Sequence, residues 1–203
     1  MNTSDFDPKH QNKKIESKIV ASLERISQAF RVLLWQESKE LSLSPIQIQV
    51  LIFLLHHSEE KRKVSYLADE FNMSKATISD TIKTLWNKEL IVKVAEQYDT
   101  RSYTLHLTNK GQEIAIKTSM FTDELRKPIN LLHQDDKEIM LLNLLDIIRH
   151  LNRSGIITIQ RMCLNCSFYQ SLNNGQVHFC ELLNQQLKNK DLRIDCPEHQ
   201  MRT

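Results

Sequence analysis

The chain has 203 residues, a formal net charge of +2, 40% hydrophobic and 26% charged side chains, and only 3 Gly and 4 Pro. That balance excludes a disordered chain and a membrane-embedded one, and predicts a globular, mainly helical protein. A net charge this close to zero leaves nucleic acid open, because a basic face can be compensated elsewhere on the surface.

Residues 1–14 are polar and read as a flexible N-terminal tail without the apolar core of a signal peptide. The longest apolar run, 50–55, is far too short to cross a bilayer, so a cytoplasmic protein without a membrane partner is expected. Ile15, Ile19, Leu23, Ile26, Phe30 and Leu33 recur in steps of three and four, one stripe of a long helix. Ser44, Pro45 and Gln47 form a helix-start signature, and the apolar stretch 46–55 behind them predicts the buried helix of the domain. Val64, Leu67, Ala68 and Phe71 mark a short amphipathic helix, followed by a break at Asn72 and Met73 and a capping residue at Ser74. Behind that cap Ile78, Ile82 and Leu85 face the core, so two short helices meet at a tight turn, a helix-turn-helix.

The segments 91–94 and 103–107 have strand propensity, and the polar stretch 96–101 between them predicts a hairpin, or wing. A helix from Thr108 is expected to carry Ile114, Thr118, Phe121 and Leu125 until Pro128 interrupts it. Asp135 and Glu138 predict the cap of a last long helix built on Ile139, Leu142, Leu145 and Ile148, ended by Gly155. The fold expected for 15–155 is thus a winged helix-turn-helix in a helical frame of 15–37, 109–127 and 135–152. A domain of this size cannot bury three long amphipathic helices by itself, which predicts a homodimer.

A helix in the major groove reads base edges from its N-terminal half. The candidate DNA-binding residues are therefore Ser74, Lys75, Thr77, Ser79, Asp80 and Lys83, with Arg101 at the wing tip suited to the minor groove and Asp99 supporting the wing. Leu67-Ala68, the run from Met73 to Ser79, Asp99-Thr100-Arg101 and the run from Leu107 to Gly111 together resemble the multiple-antibiotic-resistance regulator (MarR) family of bacterial repressors. The resemblance spans roughly 15–151. It implies a dimeric repressor on double-stranded, palindromic operator DNA, released by a small-molecule or redox effector. The family commonly has Gly where this chain has Glu89, and frequently a basic residue where it has Asp80.

The segment 156–203 holds all four cysteines, Cys163, Cys166, Cys180 and Cys196, spaced C-x2-C-x13-C-x15-C. In a reducing compartment such a set reads as metal ligands or redox-active thiols rather than structural disulfides. A hairpin turning at Asn173-Asn174-Gly175 would return Cys180 to the side of Cys166. A small C-terminal metal-binding module with Zn2+ is expected, and the missing second C-x-x-C and the Cys196-Pro197 ending leave an iron-sulfur cluster as the alternative. The chain carries no nucleotide-binding glycine loop, H-E-x-x-H or G-x-S-x-G, so no enzyme is expected. The competing function is an adaptor in which winged helix and zinc module bind transcription-machinery proteins rather than an operator.

Overall fold

The computed structural model describes residues 4–96, 102–172 and 177–202. The N-terminal segment, expected as a tail, carries a helical turn, α1 (Pro8–Gln11), capped by Asp7. Ser17 on α2 (Ile15–Leu41) donates to the Asp5 carboxylate at 2.7 Å and so holds the segment down. In α3 (Pro45–His56) the expected capping box is present: Ser44 accepts from the Gln47 N–H, and the Ser44 N–H donates to the Gln47 side chain at 3.0 Å. Nearly apolar all round, α3 is buried through Ile48, Val50, Leu51, Phe53 and Leu54, and packs on α2 and on the wing. The helix-turn-helix pair is α4 (Val64–Glu70) and α5 (Lys75–Asn87). The wing pairs β1 (Ile91–Ala95) with β2 (Tyr103–Leu107) antiparallel, Ile91 opposite Leu107 and Ala95 opposite Tyr103.

Four chain reversals after helices share one device. Leu43, Met73, Leu90 and Ile156 each donate a backbone N–H to the carbonyl five residues back, around a left-handed residue at Ser42, Asn72, Glu89 and Gly155. Only the last is glycine, as the sequence suggested for the end of the final helix. Glu89 sits at φ 60°, where a Cβ crowds the backbone at a cost of about 1 kcal/mol. Glu89→Gly is therefore expected to stabilise the protein by about 0.5–1 kcal/mol in urea unfolding. A neutral or negative change would disprove this account of the turn.

Beyond the wing the frame departs from expectation. The helix begun at Thr108 ends early: α6 (Asn109–Thr118) stops, a turn covers 119–122, and Pro128 lies inside the following α7 (Asp123–Asn130) rather than breaking it. Pro128 lies past the first turn of α7, so its missing N–H removes the helical bond to the Glu124 carbonyl, and the helix ends two residues later at Asn130. In α8 (Gln134–Arg153) the N-cap is His133 without a side-chain cap; Glu138 instead accepts from Gln134 at 2.9 Å. One face of α8 does not join the winged-helix core. Leu145 is buried there with Met162, Leu164, Tyr169, Leu187 and Leu192, a second small core shared with the C-terminal module.

That module is a three-stranded sheet, β3 (Tyr169–Leu172), β4 (Val177–Cys180) and β5 (Gln185–Leu187) in that order. The residues from 193 to 202 return beside 161–167: Cys163 donates its N–H to the Arg193 carbonyl, Cys196 to that of Arg161, Ser167 to that of Gln200.

Candidate nucleic-acid interface and cysteine module

α5 presents two chemically opposite faces. Ile78, Ile82 and Leu85 are fully buried, whereas Lys75, Thr77, Ser79, Asp80 and Lys83 are exposed. Several hydroxyls already have work. Ser74 accepts from the Thr77 N–H at 3.1 Å and lies 2.8 Å from its hydroxyl, closing the helix N-terminus, while Ser79 donates to the Lys75 carbonyl at 2.7 Å. The charged side chains of this face, Lys75, Asp80 and Lys83, are all exposed. Asp99 and Arg101, the wing candidates, lie outside the described residues. At the base of the wing Lys63 pairs with Glu96 at 2.5 Å, and that bond, with one from Ser102, holds the Glu96 carboxyl below its usual range. Lys93 stands over the rings of Tyr103, at 4.6 Å, and Trp86, at 5.4 Å, tying wing to α5. A further backbone bond from Leu105 to the Arg62 carbonyl fixes the wing against the α3–α4 connection.

The motif Leu107-Thr108-Asn109-Lys110-Gly111 acquires a structural meaning. Thr108 caps α6 by accepting from the Gly111 N–H at 3.0 Å, and its hydroxyl donates to the Glu89 carbonyl at 2.8 Å. The Thr108 N–H donates to the Leu90 carbonyl, which lies where a Gly111 side chain would begin. The motif thus locks α6 onto the turn that joins α5 to the wing.

In the module all four cysteines face one cavity of about 300 Å³. Strands β3 and β4 pair antiparallel and set Cys180 opposite Tyr169, whose N–H donates to the Cys166 carbonyl; the expected turn at Asn173-Asn174-Gly175 lies outside the described residues. The returning C-terminal segment brings Cys196 to Cys163 and Cys166. Sulfur atoms there receive hydrogen bonds: the Arg193 N–H donates to Cys163 Sγ at 3.2 Å and the Arg193 guanidinium to Cys196 Sγ at 3.3 Å. Burial pushes the Cys163 thiol up, with the Arg193 N–H opposing. All four are free thiols, and among the described residues no three His, Cys, Asp or Glu side chains gather tightly enough to hold a single metal ion. His178 is a satisfied core residue, bonded through both ring nitrogens to Tyr169 and Asn189.

Arg161 is the residue that sequence reasoning missed. Its side chain is 9% exposed and joins the module to the helix-turn-helix. It donates twice to Asp195 at 2.6 and 3.0 Å, twice to Glu70 on α4 at 2.7 and 3.1 Å, and once to the Tyr66 hydroxyl at 2.8 Å. His57, stacked on Phe53, completes the group at 2.9 Å from Asp195. Bonds to His57 and Arg161 hold the Asp195 carboxyl far below its usual range. Burial pulls the Arg161 guanidinium down, but Asp195 and Glu70 outweigh it and raise it. The partners lie 34, 91 and 95 residues away in sequence, so no periodicity or spacing announces them. Asp195 is the immediate neighbour of Cys196, which makes this group the covalent continuation of the cysteine cavity.

These elements define a winged helix-turn-helix protein with an appended cysteine module. Residues 41–102, from the end of α2 into the wing, match the model of the MarR family. Among solved structures the chain is similar to the S. aureus MepR–DNA complex, with 22% identity over 65% of this chain and 97% of that one and a TM-score of 0.57. It is equally similar to S. aureus MepR in a DNA-binding conformation, with 20% identity, 66% and 98% coverage and a TM-score of 0.57. These likenesses establish the fold; about a third of this chain has no counterpart in them. No curated protein sequence matches the chain. No helix among the described residues is long and apolar enough to cross a membrane.

Proposed function

We propose that the chain is a DNA-binding transcription regulator that acts as a homodimer on a two-fold operator, represses, and alters its DNA affinity with the state of its cysteine module. The observation that carries the DNA-binding reading is the α5 face: a helix-turn-helix second helix whose Lys75, Thr77, Ser79, Asp80 and Lys83 are all exposed while its opposite side fills the core. The likeness to MepR bound to DNA supports it.

The dimer is supported by the frame helices. In the 27 residues of α2 only Ser17, Leu34 and Ser38 are buried, while Ile15, Ile19, Ile26 and Phe30 of the expected stripe remain exposed. On α8, Ile139, Met140, Leu144 and Ile147 are likewise uncovered. Apolar surface of that extent is what a second copy buries. The response to the module is supported by Arg161, which binds Asp195 beside Cys196 and Glu70 on the first helix of the motif at once.

Titration of a fluorescent duplex at several salt concentrations tests the reading. The logarithm of affinity is expected to fall steeply with that of salt, with a two-fold footprint, and Lys75→Ala and Lys83→Ala are each expected to reduce the slope by about one. A monomer that ignores duplex DNA at low salt would instead mark a protein-binding adaptor.

A further inference from the structure

We infer that the four-cysteine cavity is the binding site of a [4Fe–4S] cluster. The argument rests on how the thiols are arranged, not only on their number. Cys163 and Cys166 come from the tight turn after Arg161, Cys180 from the end of β4, and Cys196 from the returning C-terminal segment, and all four open on the same space of about 300 Å³. A zinc ion with 2.3 Å bonds draws its four sulfurs to about 3.8 Å from one another, leaving no cavity between them. A two-iron cluster also places two thiolates on each tetrahedral iron, so its ligands pair at the same short distance. Among the described residues no three potential ligands gather at one point as a single ion would require. All four thiols line one common space of about 300 Å³. A four-iron cube asks for this arrangement, because each thiolate binds its own iron and the sulfurs stand apart.

The surroundings suit such a group. A cluster with four thiolates is anionic, and Arg193 supplies both its guanidinium, to Cys196 Sγ, and its backbone N–H, to Cys163 Sγ. Hydrogen bonds to cluster sulfurs are among the means by which a protein sets cluster stability and potential. Phe168, Leu182, Leu183 and Leu187 contribute an apolar wall. Arg193 is thus a positioning residue for Cys196.

The test uses the full chain, purified without oxygen and with its thiols reduced and the reductant removed, then incubated in parallel with equal amounts of ferrous and ferric iron plus sulfide and with zinc alone. About four iron and four sulfide per chain, with a visible absorption band that zinc does not abolish, is the expected result. Cys180→Ser, at the half-buried end of β4, is expected to keep the helical circular dichroism of the wild type and to lose the band. Arg193→Gln keeps the backbone donor but removes the guanidinium, and is expected to shed the cluster about tenfold faster. One tightly held zinc that displaces iron, two irons per chain, no metal uptake, or full uptake by Cys180→Ser would each overturn the assignment. Should Cys180→Ser fail to fold, the rate of cluster loss in Arg193→Gln decides: a rate equal to wild type overturns it. Metal content is read without DNA, so a negative result here leaves the DNA-binding proposal standing, and the reverse holds as well.

Discussion

Replacing Arg161 by methionine is expected to cost about 2–4 kcal/mol of stability in urea unfolding. The change keeps an unbranched chain out to about the position of Nε and removes every donor, leaving the Glu70 and Asp195 carboxylates without their cation. Breaking a buried ion pair from one side costs about 3–5 kcal/mol, because the remaining charge is desolvated and unpaired. The lower figure applies here because Asp195 is 42% exposed and regains water, whereas Glu70, at 18%, does not. Arg161→Met combined with Glu70→Leu is expected to recover part of the loss, since the less exposed orphan charge is gone. A loss under about 1 kcal/mol for the single variant would show that the network does not hold the two parts together. The same link has a pH signature. Asp195 is held low by His57 and Arg161, so its contribution is fully present above the ordinary carboxylate value of about 3.9 and is lost as pH falls from there through the depressed folded value. Arg161→Met is expected to blunt that acid loss.

Gly111→Ala is expected to destabilise the protein by about 2–3 kcal/mol despite the better helix propensity of alanine. An added Cβ would lie 1.9 Å from the Leu90 carbonyl oxygen and 2.9 Å from its carbon. Both are backbone atoms, and the oxygen is held by the Thr108 N–H, so neither can step aside like the tip of a long side chain. The α6 N-terminus would have to withdraw from the α5–β1 turn, loosening the base of the wing. Thermal unfolding measures the stability, and duplex titration reads the displaced wing as weaker binding. A wild-type melting temperature for Gly111→Ala would contradict the close approach.

The helix-turn-helix was legible in the sequence because its signals are local. Ser44, Pro45 and Gln47 cap α3 through bonds spanning three residues, Ser74 caps α5 in the same way, and the apolar steps of α5 match its buried face residue for residue. The candidate DNA-binding side chains could be placed on the opposite face for the same reason. The bend at 119–122 was not legible, because Pro128 is the stronger sequence breaker and yet fits within the short α7. Nor was the division of α8, whose apolar residues serve both a module core and an uncovered face, since periodicity shows that a helix has a greasy side but not what covers it.

Composition, caps and periodicity alone therefore determined a winged helix-turn-helix followed by a cysteine segment, because those signals act over one turn of helix or one pair of strands. What only the tertiary structure decided is how that segment is joined to the rest. The convergence of Cys163, Cys166, Cys180 and Cys196 on one cavity depends on the C-terminal segment folding back beside 161–167. The grip of Arg161 on Asp195 and Glu70 depends on contacts 34 and 91 residues apart. Such contacts are set by packing between distant segments, and no local pattern of residue types encodes which of them will meet.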